Sequence, residues 1–370
     1  MAVRKLLIAF LMTICSGSLY AQDKIKNLIL ITADGLRWQE VFGGVDTSLA
    51  GDKRFNENDS LLIYQNYHAV NAEESRKRIF PFLWSEFAQN GRLYGNRGKG
   101  TKVNNANPYW FSYPGYSELL TGYVDLKVNS NDYPENPNTS LLGFLQKQAD
   151  FKGKIAAFGA WNAFDRILNE KAAGFPVVSA FDKAGGEHPS AEDIMRNRML
   201  ADSYKPWNQG ECLDVFTHYA AMEYLKKKDP RVLYIAYGET DEWAHSGKYR
   251  SYLDAAHQLD AWLKEIWTYV QSNSQYRDKT ALMITVDHGR GTGEGWTSHG
   301  SKVEGSDQTW FAVLAPGITG RGEIAGDMQL YQKQLARTMA SLLGVNFTAE
   351  HPVEDGVPGI SKAPAPVTGK

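Results

Sequence analysis

Residues 280–289, TALMITVDHG, carry the reading that decides the fold. Thr280 to Val286 is apolar at almost every position, so both faces of the strand it predicts are covered. Asp287, His288 and Gly289 then end the run with an acid, an imidazole and a residue that lets the backbone turn. Working outward, the same grammar recurs. Asn27 to Thr32 (NLILIT) runs into Asp34-Gly35, and Val232 to Tyr237 (VLYIAY) runs into Glu239-Thr240-Asp241. Trp310 to Ala315 (WFAVLA) stops at Pro316-Gly317, and Lys154 to Phe158 is a weaker run. Runs apolar on both faces predict buried parallel strands. Between them, Ala256, Leu259, Leu263, Ile266 and Val270 recur at helical steps, as do Leu335, Met339 and Leu342 ahead of Gly344. Strand–helix alternation predicts an α/β fold, a doubly wound, mostly parallel sheet with helices on both faces.

In such sheets ligands bind beyond the carboxyl ends of the strands. The acids and histidines of this chain fall there: Asp34, then Asp241 and His245, then Asp287 and His288, with His299 downstream in SHG. Asp241 and His245 are one helical turn apart and can face one ion. Each cluster alone has a plain structural explanation, such as a helix cap or a buried hydrogen-bonded histidine. Three carboxylates and three imidazoles in this layout suit two divalent metal ions. Ser112, in FSYPGYSELLTG, supplies a hydroxyl between the first and second clusters. A serine hydroxyl near neutral pH needs activation, and a divalent ion that lowers its pKa provides it.

Order and spacing resemble the alkaline phosphatase superfamily, within its nucleotide pyrophosphatase/phosphodiesterase-like branch, from Leu28 to about Gly317. In those enzymes a nucleophilic Thr precedes Pro by two residues and Thr-Gly by nine and ten. Ser112, Pro114, Thr121 and Gly122 keep that spacing with Ser for Thr. The resemblance implies an alkaline phosphatase-like fold and a phosphoric ester hydrolase working through a phosphoserine on Ser112. It implies one metal at Asp34, Ser112, Asp287 and His288 and a second at Asp241, His245 and His299, zinc ahead of manganese. Asn129, Asn131 and Arg166 are candidates for binding the phosphoryl oxygens.

The chain also departs from that branch. His299 follows His288 by eleven residues, a short gap like that of phosphoglycerate mutases and phosphopentomutases, which makes a sugar-phosphate mutase an alternative. Sulfate ester hydrolysis is another. The formylglycine sulfatases require Cys or Ser followed by x-Pro-x-Arg, and Tyr116 stands where the Arg would be. A binding protein that kept the fold and lost the chemistry would show gaps among the seven ligand positions, and none is seen. The aromatic residues Tyr109, Trp110, Phe111, Tyr113 and Tyr116 surround the nucleophile, either as core or as a stacking surface.

The 370 residues, 43% of them hydrophobic, can bury a large core. A net charge of −2 gives no basic field, so sequence-specific nucleic acid is not an expected partner. A small-molecule phosphate ester is. Residues 1–21 have basic Arg4 and Lys5, an apolar run and small residues up to Ala21. They read as a secretory signal peptide, too short in its apolar part to span a bilayer, with a periplasmic or secreted product. Cys15 follows bulky Ile14, which disfavours lipid anchoring. Cys212 then remains as a lone thiol, without an internal disulfide. Residues 22–350 form one catalytic domain. The stretches 43–107 and 125–139 read as loop-rich insertions beside the site, and 351–370 as a loosely ordered tail. The sequence leaves the oligomeric state open.

Overall fold

A computed structural model describes residues 25–360. The segment read as a signal peptide lies outside the described residues. Among the described residues eleven strands are formed: β1 (Asn27–Ala33), β2 (Arg92–Tyr94), β3 (Thr101–Asn104), β4 (Ile155–Gly159), β5 (Val177–Ser179), β6 (Val232–Tyr237), β7 (Thr280–Thr285), β8 (Gln308–Thr309), β9 (Phe311–Leu314), β10 (Gly322–Glu323) and β11 (Met328–Tyr331). Eight make one sheet in the order β10-β2-β9-β7-β1-β6-β4-β5, and β11-β3-β8 make a small second sheet. Strands β7, β1, β6, β4 and β5 run parallel.

Apolar side chains on both faces of β1 and β6 seed two cores. Ile29, Ile31, Leu233 and Ile235 belong to one face, and Leu28, Leu30, Val232 and Tyr234 to the other. The Tyr249–Ser272 helix packs Leu259, Leu263, Ile266 and Val270 on the first face. The Ser112–Thr121 and Gln334–Leu342 helices cover the second. Each fully buried aliphatic side chain contributes about 1.5–3 kcal/mol. Substitution at Ile31 or Leu233 would therefore loosen the sheet that carries the site. The Gln334–Leu342 helix ends at Gly344, whose φ of 72° closes the last turn.

Register then does the positioning. Thr32 pairs with Thr285 on one side and Ala236 on the other. Two residues further on, Asp34 is level with Asp287 and with Gly238, at the start of the Glu239–His245 helix. The carboxyl ends of three neighbouring parallel strands thus bring together clusters 200 or so residues apart in sequence.

Three expectations are corrected. The Trp310–Ala315 run forms β9, which is buried but antiparallel to β7. The chain between them holds the 3-10 turn Gly293–Thr297 and the two-residue strand β8 but no crossover helix, so it re-enters the sheet from the carboxyl edge. Burial on both faces is blind to direction. The 43–107 stretch is not loop-rich. It holds the helices Thr47–Gly51, Ser60–Asn66 and Ala72–Ile79, and it supplies β2 and β3. Residues 351–360, expected as part of a loose tail, pack inward instead: Val357 and Ile360 join the core and His351 stacks on Tyr123. The 125–139 stretch has no helix or strand and lies against the Ser112 helix, where Tyr113 donates to the Pro134 carbonyl and Asn136 to Ser117.

Candidate metal centre

Asp34, Asp287 and His288 face one another at the ends of β1 and β7. A ligand atom from each lies within 4.8 Å of the others. Asp34 Oδ2 accepts the Tyr116 hydroxyl at 3.0 Å, and Asp287 Oδ1 accepts the Gly35 amide at 3.1 Å. The other oxygens, Asp34 Oδ1 and Asp287 Oδ2, are buried and have no hydrogen-bond partner. His288 Nε2 lies 3.2 Å from the first and 3.4 Å from the second. His288 Nδ1–H donates to the Gly289 carbonyl at 2.8 Å, which fixes the ring and aims Nε2 inward. Ser112 Oγ is 3.4 Å from the same Nε2. Ser112 opens its helix, and Gly115 in that helix meets the Asp287 backbone too closely for any Cβ.

The second group adjoins the first. Asp241 Oδ2 lies 3.0 Å from His245 Nε2, and His245 Nε2 lies 2.9 Å from His299 Nε2. His299 turns its Nδ1 to the Trp110 carbonyl at 3.4 Å. Its ring stacks on His288 with centroids 3.9 Å apart. Asp241, His288 and His299 also offer three mutually close ligand atoms, so His288 lies between the two groups. All seven residues singled out in the sequence are therefore at one place. Two buried carboxylate oxygens without donors, and two imidazole nitrogens facing each other, fit a divalent metal.

The electrostatics agree. Burial, and then Asp34, push Asp287 well above the usual carboxylate range. Burial opposes charge on His288, but Asp287, Asp34 and Asp241 outweigh it and raise the ring to about 9. Burial, with His288 beside it, drops His299 to about 2. Burial also opposes the charge on Asp241, yet Arg290, His245 and His299 hold it well below its ordinary value. Gly35 is required here: its φ is +56°, and a Cβ would stand 2.5 Å from Asp241 Oδ1.

Sequence reasoning missed Arg290. It is fully buried, contacts Asp241 Oδ1 through Nη1, donates Nε–H to the Trp296 carbonyl at 2.8 Å, and leaves Nη2 unpartnered. A basic residue two past the strand-end histidine was the available signal. Also missed was a carboxylate group beside the metal ligands, comprising Glu211, Asp214, Glu239 and Glu242. Asp214 accepts the Gly238 and Glu239 amides at the start of the Glu239–His245 helix. Burial, with Glu242 beside it, lifts Glu211 well above its usual range, and burial with Asp241 lifts Glu242 to about 7.

The candidate substrate contacts separate. Asn131 Oδ1 accepts the Tyr113 amide at 3.0 Å, directly after the nucleophile. Arg166 donates to the Tyr133 and Asn131 carbonyls, so it braces the loop that carries Asn131. Asn129 is exposed. Of the aromatic residues, Tyr113 and Tyr116 are core, whereas Tyr109, Trp110 and Phe111 are half-buried around Ser112. Glu118 accepts the Ala106, Asn107 and Lys333 amides and holds the loop that leads to Trp110.

Among curated proteins no relative matches the chain. Among solved structures it is similar to the lipoteichoic acid synthase LtaP from Listeria monocytogenes, with 13% identity, a TM-score of 0.56, and 91% of this chain and 76% of that one covered. It is similar to the phosphonate monoester hydrolase of Silicibacter pomeroyi, with 13% identity, a TM-score of 0.55, and 90% and 76% covered. It is also similar to BT1596, a 2-O GAG sulfatase, with 13% identity, a TM-score of 0.51, and 88% and 72% covered. These likenesses establish the α/β, alkaline phosphatase-like fold. The sulfatase family profile matches residues 26–345. That match bears out the superfamily expected from the sequence and places the chain in its sulfatase family. It favours the sulfate-ester alternative over the phosphodiesterase-like reading, while leaving the ester type open between sulfate and phosphate. On the strength of that match, spanning nearly the whole described chain, this protein belongs to the sulfatase family, among the metal-dependent hydrolases of the alkaline phosphatase superfamily.

Proposed function

We propose that this protein hydrolyses esters of phosphorus acids through a phosphoserine on Ser112. Two divalent ions, zinc ahead of manganese, would be held by Asp34, Ser112, Asp287 and His288 and by Asp241, His245 and His299. Such ions lower the pKa of a hydroxyl and neutralise the charge of phosphoryl oxygens. Tyr116 is the observation that carries the reading. It occupies the position where formylglycine formation requires Arg, and its hydroxyl serves Asp34 instead. Residue 112 then stays a serine. Its Oγ gives up its proton and attacks phosphorus, the bond from phosphorus to the leaving oxygen breaks and that oxygen takes a proton, and water later cleaves the Ser112 ester, restoring the hydroxyl and releasing phosphate from a monoester, a monoester from a diester or the phosphonic acid from a phosphonate ester. The Arg290 guanidinium, which holds Asp241 through Nη1 and keeps Nη2 unpartnered, would add positive charge beside the ions. The Asn131 amide holds the first turn of the Ser112 helix in line. The leader-like residues 1–21 support action outside the cytoplasm.

Hydrolysis of sulfate esters is the second reading, and the family match favours it. A panel of nitrophenyl phosphate, a bis-nitrophenyl phosphodiester, a phosphonate monoester and nitrophenyl sulfate separates the two. The proposal expects turnover of a phosphorus ester. Turnover of the sulfate alone would overturn it.

A further inference from the structure

Glu118 rides on the same helix as Ser112 and is 1% exposed. Every hydrogen-bond partner of its carboxylate is a neutral N–H group. Oε1 accepts the Ala106 amide at 2.9 Å and the Lys333 amide at 3.1 Å. Oε2 accepts the Ala106 amide at 3.0 Å, and the Asn107 amide and Asn107 Nδ2 at 2.8 Å each. Burial raises the carboxyl, and these donors oppose the shift. A glutamine has one acceptor oxygen and would turn its own N–H groups against a donor, so a carboxylate alone serves the whole set.

The amides it holds adjoin two buried side chains that grip the end of β7. Asn105 Nδ2 donates to the Asp287 carbonyl at 2.8 Å, and Gln332 Nε2 donates to the Val286 carbonyl. The Gln332 amide in turn donates to the Asn104 carbonyl at 2.9 Å, which sets the two side by side. A carbonyl only accepts, so each side chain must turn its nitrogen to the strand. Asn105 Oδ1 and Gln332 Oε1 are left buried without partners, an unfavourable state that the grip on the strand end offsets. Gly115, in the Glu118 helix, meets the same peptide: a Cβ there would stand 2.3 Å from the Asp287 carbonyl oxygen.

A second arm reaches His299. Asn107 Oδ1 accepts the Tyr109 and Trp110 amides at 3.0 and 3.1 Å. Trp110 is held there at a φ of 55°, which a bulky side chain rarely adopts, and its carbonyl faces His299 Nδ1 at 3.4 Å. One carboxylate thus stands behind the nucleophile helix, the Asp287 peptide and the turn against His299.

We propose that Glu118 is a positioning residue that ties the nucleophile helix to both groups of metal-ligating side chains, through Asn105 and Gln332 on one arm and Asn107 on the other. The proposal rests on the two-metal ester-hydrolase reading above.

Two measurements on the full chain test it. The first is zinc affinity by chelator competition. Glu118→Gln leaves every proposed ligand in place and should lower that affinity about tenfold or more. The second is hydrogen exchange in EDTA. The Gly35 amide donates to Asp287 Oδ1 and the Trp110 amide to Asn107, so the two report the arms without metal. In Glu118→Gln both should exchange about tenfold faster relative to the β1 amides. Asn105→Ala should speed Gly35 alone, and it decides the matter if Glu118→Gln does not fold. Leu263→Ala truncates the core on the opposite face of the sheet and should change neither zinc affinity nor those exchange ratios. Wild-type affinity and exchange in Glu118→Gln, or equal losses in Leu263→Ala, would overturn the proposal. If the wild type binds no zinc, the metal reading fails separately. The exchange ratios then decide: faster Gly35 and Trp110 support the tie, and unchanged ratios refute it.

Discussion

Asp287→Asn should stabilise the metal-free protein while weakening metal binding. Asp287 is fully buried, its Oδ1 is satisfied by the Gly35 amide, and its Oδ2 has no partner. That oxygen faces Asp34 Oδ1 and His288 Nε2 across less than 4.8 Å. Burial and Asp34 raise the carboxyl, so above the ordinary carboxylate range the folded protein either keeps a proton that the unfolded chain would release or holds two charges together. Both cost stability, and increasingly so as pH rises. An asparagine keeps the Oδ1 acceptor and offers an N–H to Asp34. Relieving one unsatisfied buried polar atom is worth about 1–3 kcal/mol. For a chain this long that corresponds to roughly 1–4 °C in melting temperature. Melting in EDTA from about pH 5 to about pH 8 should show the variant above the wild type, with a gap that widens with pH. Added zinc should raise the wild type by more than the variant, because an amide is the weaker ligand. A variant that melts lower in EDTA, or gains as much from zinc, would refute the role given to Asp287.

Ser112→Ala should leave melting largely unchanged and cost about a thousandfold or more in turnover, measured on the best ester of the panel. Reconstituted protein should hold two divalent ions per chain by elemental analysis, and a His245→Ala/His299→Ala variant should hold about one. His218 gives a signed pH effect away from the site. Stacked on Trp262 and bonded to Tyr237 and Glu265, it is lowered by burial from 6.5 to about 4. The folded state therefore binds fewer protons than the unfolded chain between those values. Its contribution is complete above about pH 6.5 and shrinks as pH falls toward 4, by about 3 kcal/mol in all. His218→Phe should flatten that acid limb, and an unchanged slope would contradict the assignment.

The parallel sheet was legible because β1, β6 and β7 are apolar on both faces, a pattern that only a covered sheet tolerates. The site followed, since parallel register places residues just beyond those strands side by side. Strand direction at β9 was not legible, because burial carries no sign. The helices within 43–107 are short and polar on one side, and their apolar residues make sense only against the sheet. Arg290 and Glu211 escaped for another reason. Single charged residues in loops look solvated until the fold buries them, and nothing local in the sequence announces that burial.

The most direct test is mass spectrometry of the peptide carrying residue 112, taken from metal-loaded protein quenched in acid during turnover. The account predicts an unmodified serine in the resting protein and, on quenching, the added mass of the phosphoryl group of the ester used, with any substituent it keeps, that is absent from Ser112→Ala. A formylglycine at position 112, or turnover of a phosphorus ester without any covalent phosphoryl group, would contradict it.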